Sequence, residues 1–374
     1  MKINKTTFVQ AIALVLIITI TRLVLNLPQV IILSCSSSSL LNIIYISIIA
    51  FVFILIITKL FKNFGNSDII DISDFVGGKF LKILIGILLI AYLIFVAGNL
   101  IRDFSEVIQI LYYNKAQVLY LLAFFIIVCI IANLIGEGAV VKSNVIFVSI
   151  MIISLLITFI TIIPNITIQR TLPILGYGAK ETFVSGLSNI FSFSGLFVIF
   201  LLPPMLSEKK DFKKISIIST ILIAVLLLLT VASLLLSLSF SADIEKISPV
   251  YSLISNNEFG RFLQHPESLF VLTWILAFMT YLNVTCMFII RILKKITNVK
   301  NAKPFAIPVG IAVLIMAIIP KSLLQARQLG ILAYKYFSTP ALFVIFPLIL
   351  ILANIKYKKI HSNKNTMQDE NTLD

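Results

Sequence analysis

Arg22-Leu23-Val24-Leu25-Asn26-Leu27-Pro28 and Phe200-Leu201-Leu202-Pro203-Pro204 each lie late in a long apolar run, about residues 8–33 and 183–206. Proline lacks a backbone donor and its ring collides with the preceding turn, so a helix is interrupted ahead of it. Transport folds place their ligands where membrane helices are interrupted near the midplane. The two runs head two sets of five. A matched pair, Leu27-Pro28 and Leu202-Pro203, is therefore the mark of a five-plus-five inverted repeat, with Pro28, Pro203 and Pro204 as helix breaks. An ordinary proline kink explains either proline alone.

The rest of the chain supplies the solvent in which this reading holds. Its 374 residues are 59% hydrophobic and 12% charged. A soluble domain is about 45–50% apolar and about 25% charged. So little charge cannot cover a soluble globule, and so much apolar surface excludes a disordered chain. A bilayer-spanning helix needs about 20 apolar residues. Ten runs qualify: about 8–33, 40–60, 80–101, 117–135, 144–163, 183–206, 215–240, 267–291, 304–323 and 335–354. The third can continue through Val107 to Tyr112. The first follows Lys2 and Lys5 but exceeds a signal-peptide core of about 7–15 residues, so it is read as a retained helix. The expectation is an all-α integral membrane domain over 1–354, with repeats at about 8–163 and 183–354. The polar tail 355–374 is expected to be disordered.

The formal charge is +14, from 30 Lys and Arg against 16 Asp and Glu. The bases lie between apolar runs, which is the positive-inside pattern and not a nucleic-acid surface. With the N-terminus in the cytoplasm, twenty bases fall on the inner side and nine on the outer, leaving Arg22 within the first span. Both termini are therefore expected inside.

Few side chains in the spans carry chemistry. Arg22 is the clearly intramembrane base and needs a partner or a watery cavity. It would bind a substrate carboxylate, or pair with a protein carboxylate or backbone carbonyls. Asn189-Ile190-Phe191-Ser192-Phe193-Ser194-Gly195 sets small and polar residues in an apolar helix. Ser competes for backbone hydrogen bonds and Gly weakens helices, so the stretch is expected to unwind or to form a small-residue packing face. Asn99, Arg102, Asp103 and Glu106 read as an interfacial cluster.

Catalytic material is thin. Cys35, Cys129 and Cys286 are far apart and read as packing residues. His265 and His361 fall outside the spans. There is no GxxxxGK[ST], HExxH or CxxC motif, and Gly176-Tyr177-Gly178 is only a fragment of a nucleotide loop. Asp243, Glu245, Glu258, Arg261 and His265 are spaced as in a solvated loop, and Glu267 suits the start of a helix. No enzyme, metal or cofactor is expected.

Four stretches carry a resemblance. They are Leu25-Asn26-Leu27-Pro28; Arg170-Thr171-Leu172-Pro173-Ile174-Leu175-Gly176-Tyr177-Gly178; Phe197 to Pro204 with Ser207-Glu208-Lys209-Lys210; and Glu258-Phe259-Gly260-Arg261-Phe262-Leu263 leading through Glu267-Ser268-Leu269-Phe270 to Trp274. In this order the chain resembles the spore germination permease family, the B subunits of nutrient germinant receptors. That family is similar to the amino acid–polyamine–organocation transporters. The resemblance implies a LeuT-type fold in the inner membrane of the dormant spore, with an A subunit and a lipoprotein C subunit as partners. It implies a small nutrient, often an amino acid, whose binding triggers germination. The other reading is an amino-acid permease or exchanger acting on its own. The family commonly has glycine about seven residues before the span 1 proline; this chain has Thr21 there, followed by Arg22. The expected site lies between the breaks of spans 1 and 6, walled by spans 3 and 8. It comprises Thr21, Arg22, Leu25, Tyr92, Phe191, Ser192, Ser194, Gly195 and Thr280. Arg22 would attract an anion, Ser192 and Ser194 would hydrogen-bond, and Phe191 and Tyr92 would shape an apolar wall.

Overall fold

Helix α1 (Phe8–Leu25) and helix α2 (Leu27–Cys35) are the two pieces of the first span. Asn26 joins them with φ −131° and ψ −6°, outside the helical region. Pro28 falls in the first turn of α2, where its missing N–H leaves no hydrogen bond unmade. The break expected from Pro28 is therefore present, two residues ahead of it.

The computed structural model describes residues 5–113, 115, 117–237, 248–255 and 266–370. Nine segments among them are helical, long and apolar enough to cross a membrane, and Lys303–Ile318 is a shorter apolar helix. Helices α3 (Ser39–Leu60), α4 (Ile69–Tyr112), α5 (Val118–Ile135) and α6 (Glu137–Ile162) complete the first half. The second half opens with a rod at Lys180–Phe200. It continues with α7 (Asp211–Ser237), the short α8 (Pro249–Ser255), α9 (Pro266–Thr297), α10 (Ala306–Ile318), α11 (Leu323–Ala333) and α12 (Phe346–Glu370). α1 packs on the rod, α3 on α7 and α4 on α9. In each pair the second span comes five after the first, which is the arrangement of a five-plus-five fold.

Hydropathy does not tell an interior membrane helix from a peripheral one, because lipid is as apolar as leucine. Burial does. The α1 window is 78% buried and the rod 72%, against 28% for α5. The pair predicted to hold the site is thus central.

The rod departs from expectation. Asn189 to Gly195 does not unwind; Lys180–Val184 forms a π turn and Ser185–Phe200 is wound as a 3₁₀ helix. In 3₁₀ winding, residues three apart eclipse one another. Gly186, Asn189, Ser192 and Gly195 thereby form one stripe, and Phe191, Ser194, Phe197 and Phe200 another. The first stripe approaches α1–α3 closely. A Cβ on Gly186 would lie 2.4 Å from Asn42 Nδ2, and one on Gly195 2.3 Å from Thr19 Oγ1. Asn189 Nδ2 donates to Ser34 Oγ (2.9 Å) and Asn42 Oδ1 (3.0 Å). The small-residue packing face is therefore what forms. The rod ends at Phe200, and Pro203–Met205 makes a single short turn after it.

Two ends also differ. α4 reaches Tyr112, the extension expected through Val107, but begins at Ile69, well ahead of residue 80, with a kink at Gly77 and Gly78, the latter at φ +66°. α12 continues to Glu370, through most of the tail expected to be disordered. Its first polar turns have partners that sequence does not reveal. Tyr357 meets Phe64 edge-on at 5.9 Å, and Lys356 Nζ donates to Phe75 O at 2.7 Å.

Candidate functional site

Arg22 lies one turn before the Asn26 break and is 3% exposed. Its Nη1 donates to Ser194 Oγ (2.5 Å) and to Phe191 O (3.3 Å), both on the rod's aromatic stripe. Its Cζ lies 3.6 Å from the Tyr334 ring centroid and 5.4 Å from that of Phe191. These are cation–π distances. Among the described residues no carboxylate pairs with Arg22.

The opposite wall comes from α4 and α11. Asn99 and Asp103 stand four apart on one face of α4. Asp103 is 3% exposed and accepts from Arg327 Nε at 3.0 Å and from Asn26 Nδ2 at 3.4 Å. Asn99 Nδ2 donates to Phe95 O, leaving its Oδ1 buried and unpartnered. Arg327, Gly330, Ile331 and Tyr334 follow helical spacing and face the same space. Between these walls lies a cavity of about 20 Å³. That holds one water molecule and no nutrient. Joined by these bonds, Asp103, Arg327 and Asn26 form the roof of this space beside Arg22.

Of the residues expected at the site, Arg22, Phe191 and Ser194 come together. Tyr92 stacks on Phe337 (5.0 Å) and meets Phe197 edge-on (6.2 Å), on the same stripe of the rod but beyond the cavity lining. Ser192 and Gly195 lie on the other stripe, with Ser192 Oγ buried and unpartnered. Thr21 donates its hydroxyl to Ile17 O and Thr280 to Leu276 O, so both are spent inside their own helices. Those two and Leu25 do not line the cavity. Asn26, Asn99, Asp103, Arg327 and Tyr334 do, without having been singled out as ligand contacts. Asp243, Glu245, Glu258, Arg261 and His265 lie outside the described residues, as does the side chain of Glu267.

A family model described as spore germination protein matches residues 5–325. The chain belongs to that family. It is 23% identical over 309 residues to spore germination protein KB of Bacillus subtilis (strain 168), covering 80% of this chain and 82% of that one. It is 24% identical over 286 residues to spore germination protein A2 of the same organism, covering 75% and 78%. Among solved structures, a Na⁺-coupled sialic acid symporter in a substrate-bound outward-open state superposes with a TM-score of 0.67. That match is 12% identical and covers 91% of this chain and 80% of the symporter, so it shows the shared transporter fold. Family and fold are those of a permease-like integral membrane protein linked to spore germination.

At the end of the molecule where α1 begins, the residues just before α1 and just after the rod are tied by main chain. Thr6 N donates to Met205 O (2.7 Å) and Ser207 N to Thr6 O (3.1 Å). Nearby charges are matched: Lys295 Nζ reaches Asp68 and Asp71, each at 2.5 Å, and Arg291 reaches Glu137 at 2.5 Å. Asp68 caps α4 just outside its span. Burial pushes its carboxyl up, while the Lys295 ammonium pulls it back.

Proposed function

We propose that the chain is the transporter-like subunit of a spore germinant receptor, which binds a small nutrient such as an amino acid and triggers germination. One observation carries the reading: Arg22 is buried beside a cavity at the broken first span, and among the described residues no carboxylate meets it. A carboxylate-bearing nutrient would complete that arrangement. With both termini in the cytoplasm, as the distribution of bases supports, the cavity lies toward the outer half of the membrane. The setting is the spore inner membrane, and the partners are an A subunit and a lipoprotein C subunit.

A ligand shifts a conformational equilibrium only through its differential affinity for the two states. A cavity of about 20 Å³ has no room for a nutrient, so binding favours the state in which the Asp103–Arg327 roof has opened. Receptor output follows that population. The direct test is a germination assay of spores lacking the chain across a nutrient panel. One class of nutrient should lose its effect. Ser194→Leu should abolish that response with the protein level unchanged; an unaltered dose response would remove the rod from the site.

The transporter fold, shared along 91% of the chain, favours a second reading as an amino-acid permease or exchanger acting alone. It requires substrate flux by the purified chain in liposomes, which the receptor reading does not.

A further inference from the structure

We propose that the ligand of this cavity is a small organic anion with net negative charge, a dicarboxylate or an acidic amino acid. This rests on the ligand-binding reading above and narrows the ligand's class.

The charges around the cavity do not balance. Its ionisable lining is Arg22, Arg327 and Asp103. Asp103 is already engaged by Arg327 and Asn26, which leaves Arg22 over. A second cation stands close by. Lys335 follows Tyr334 in the chain, and its Nζ lies 5.6 Å from the centroid of the Phe191 ring. Arg22 Cζ lies 5.4 Å from that same centroid. Phe191 is thus flanked by two cations, and among the described residues neither pairs with a carboxylate. Lys335 is half-buried, next to Tyr334 in the helical segment Leu323–His361.

The imbalance is local. Lys295 and Arg291, in the same membrane bundle, each have a carboxylate at 2.5 Å. Among the described residues, the chain that supplies counter-ions there supplies none around Phe191.

The remaining hydrogen-bonding capacity has the same sign. Arg22 uses Nη1 for its two bonds to the rod, so the donors on Nη2 and Nε remain. Lys335 has a flexible four-carbon stem and three donors. A neutral zwitterion such as alanine brings one carboxylate and one ammonium, and so cannot offset two cations. The buried unpartnered acceptors of the described lining, Asn99 Oδ1 and the Tyr334 hydroxyl, are neutral, and Asp103 is taken. Two carboxylates, one on Arg22 and one on Lys335, would satisfy what is left over.

The test is binding to the purified full chain in lipid nanodiscs near neutral pH, with succinate, glutamate, alanine and lysine as probes. Succinate and glutamate should bind at least about tenfold more tightly than alanine, and lysine should not bind. Lys335→Gln should cost the anions about tenfold and leave alanine little changed, while Lys335→Arg retains the preference. Alanine binding as tightly as succinate, or a Lys335→Gln chain with intact selectivity, overturns the inference and leaves the nutrient-binding reading in place. Absence of saturable binding by all four probes overturns both. Should Lys335→Gln fail to fold, the order of affinities in the unaltered chain decides.

Discussion

Lys295 and Arg22 are both cations inside one helical bundle, and they are treated in opposite ways. Lys295, toward the end where α1 begins, is held between Asp68 and Asp71. Arg22, at the end where α1 breaks, has a hydroxyl, a carbonyl and two rings. Hydrogen bonds to neutral groups and ring quadrupoles orient a guanidinium without neutralising it. The first end is electrostatically complete with the protein alone, and its main-chain tie at Thr6 and Ser207 makes it a closure. The second end is complete only with something added.

The largest expected effect separates the two. Lys295→Met leaves Asp68, which is 1% exposed, and Asp71 without a counter-ion. That should destabilise the chain by about 3–5 kcal/mol. Arg22→Met removes a cation that has no counter-ion among the described residues, so stability should hold or rise by about 1–3 kcal/mol. The nutrient response should meanwhile weaken by at least about thirtyfold. Thermal unfolding in detergent and a germination dose response read the two quantities. Equal losses of stability would break the comparison. The pH dependence has a definite sign. Burial raises the Asp68 carboxyl in the folded chain above its unfolded value, so the folded chain holds a proton that the unfolded chain releases. Stability from this group therefore rises as pH falls toward about 4, and the Lys295→Met deficit should shrink there.

A smaller effect tests the contact between α1 and the rod. Gly195→Ala puts a Cβ 2.3 Å from Thr19 Oγ1, where both helices are buried. The expected cost is about 1–3 kcal/mol. Thr19→Ala in the same chain should recover part of it, with a coupling of about 0.5–3 kcal/mol in a double-mutant cycle. Additive losses would mean that the two residues do not meet.

The membrane made the fold readable. Ten apolar runs correspond to nine spanning segments and one shorter helix, and Pro28 announced the break at Asn26. Arg22, Phe191 and Ser194 were legible as a group because a base and hydroxyls inside greasy runs have few other uses. The winding of the rod was not. The three-residue spacing of Gly186, Asn189, Ser192 and Gly195 is present in sequence, but small residues signal unwinding as readily as close packing. The roof was hidden for a different reason. Asp103 lies just beyond the expected end of span 3, and its partner Arg327 is 224 residues away. Lys335 was placed at a span boundary because the last run was taken to start there; the helical segment begins at Leu323.

The roof supplies the finest test of the comparison. Asp103→Asn keeps an oxygen that can accept from Arg327 Nε, so the shape of the cavity should survive. It removes the one carboxylate among the cavity's described lining residues and makes the surroundings of Arg22 more positive. Two consequences act in the same direction. The hydrogen bond holding the roof keeps its charged donor but loses its charged acceptor, which weakens it and lowers the cost of opening. The field at the cavity also becomes more positive, which favours an arriving anion. Anion binding should therefore tighten by about two- to fivefold, chiefly through faster association, with the increase fading at high salt. A site that uses Asp103 to hold a ligand ammonium would respond in the opposite sense, with neutral amino acids losing affinity in the same variant. The sign of one modest change, read from binding kinetics at two ionic strengths, thus tells whether Asp103 serves the roof or the ligand.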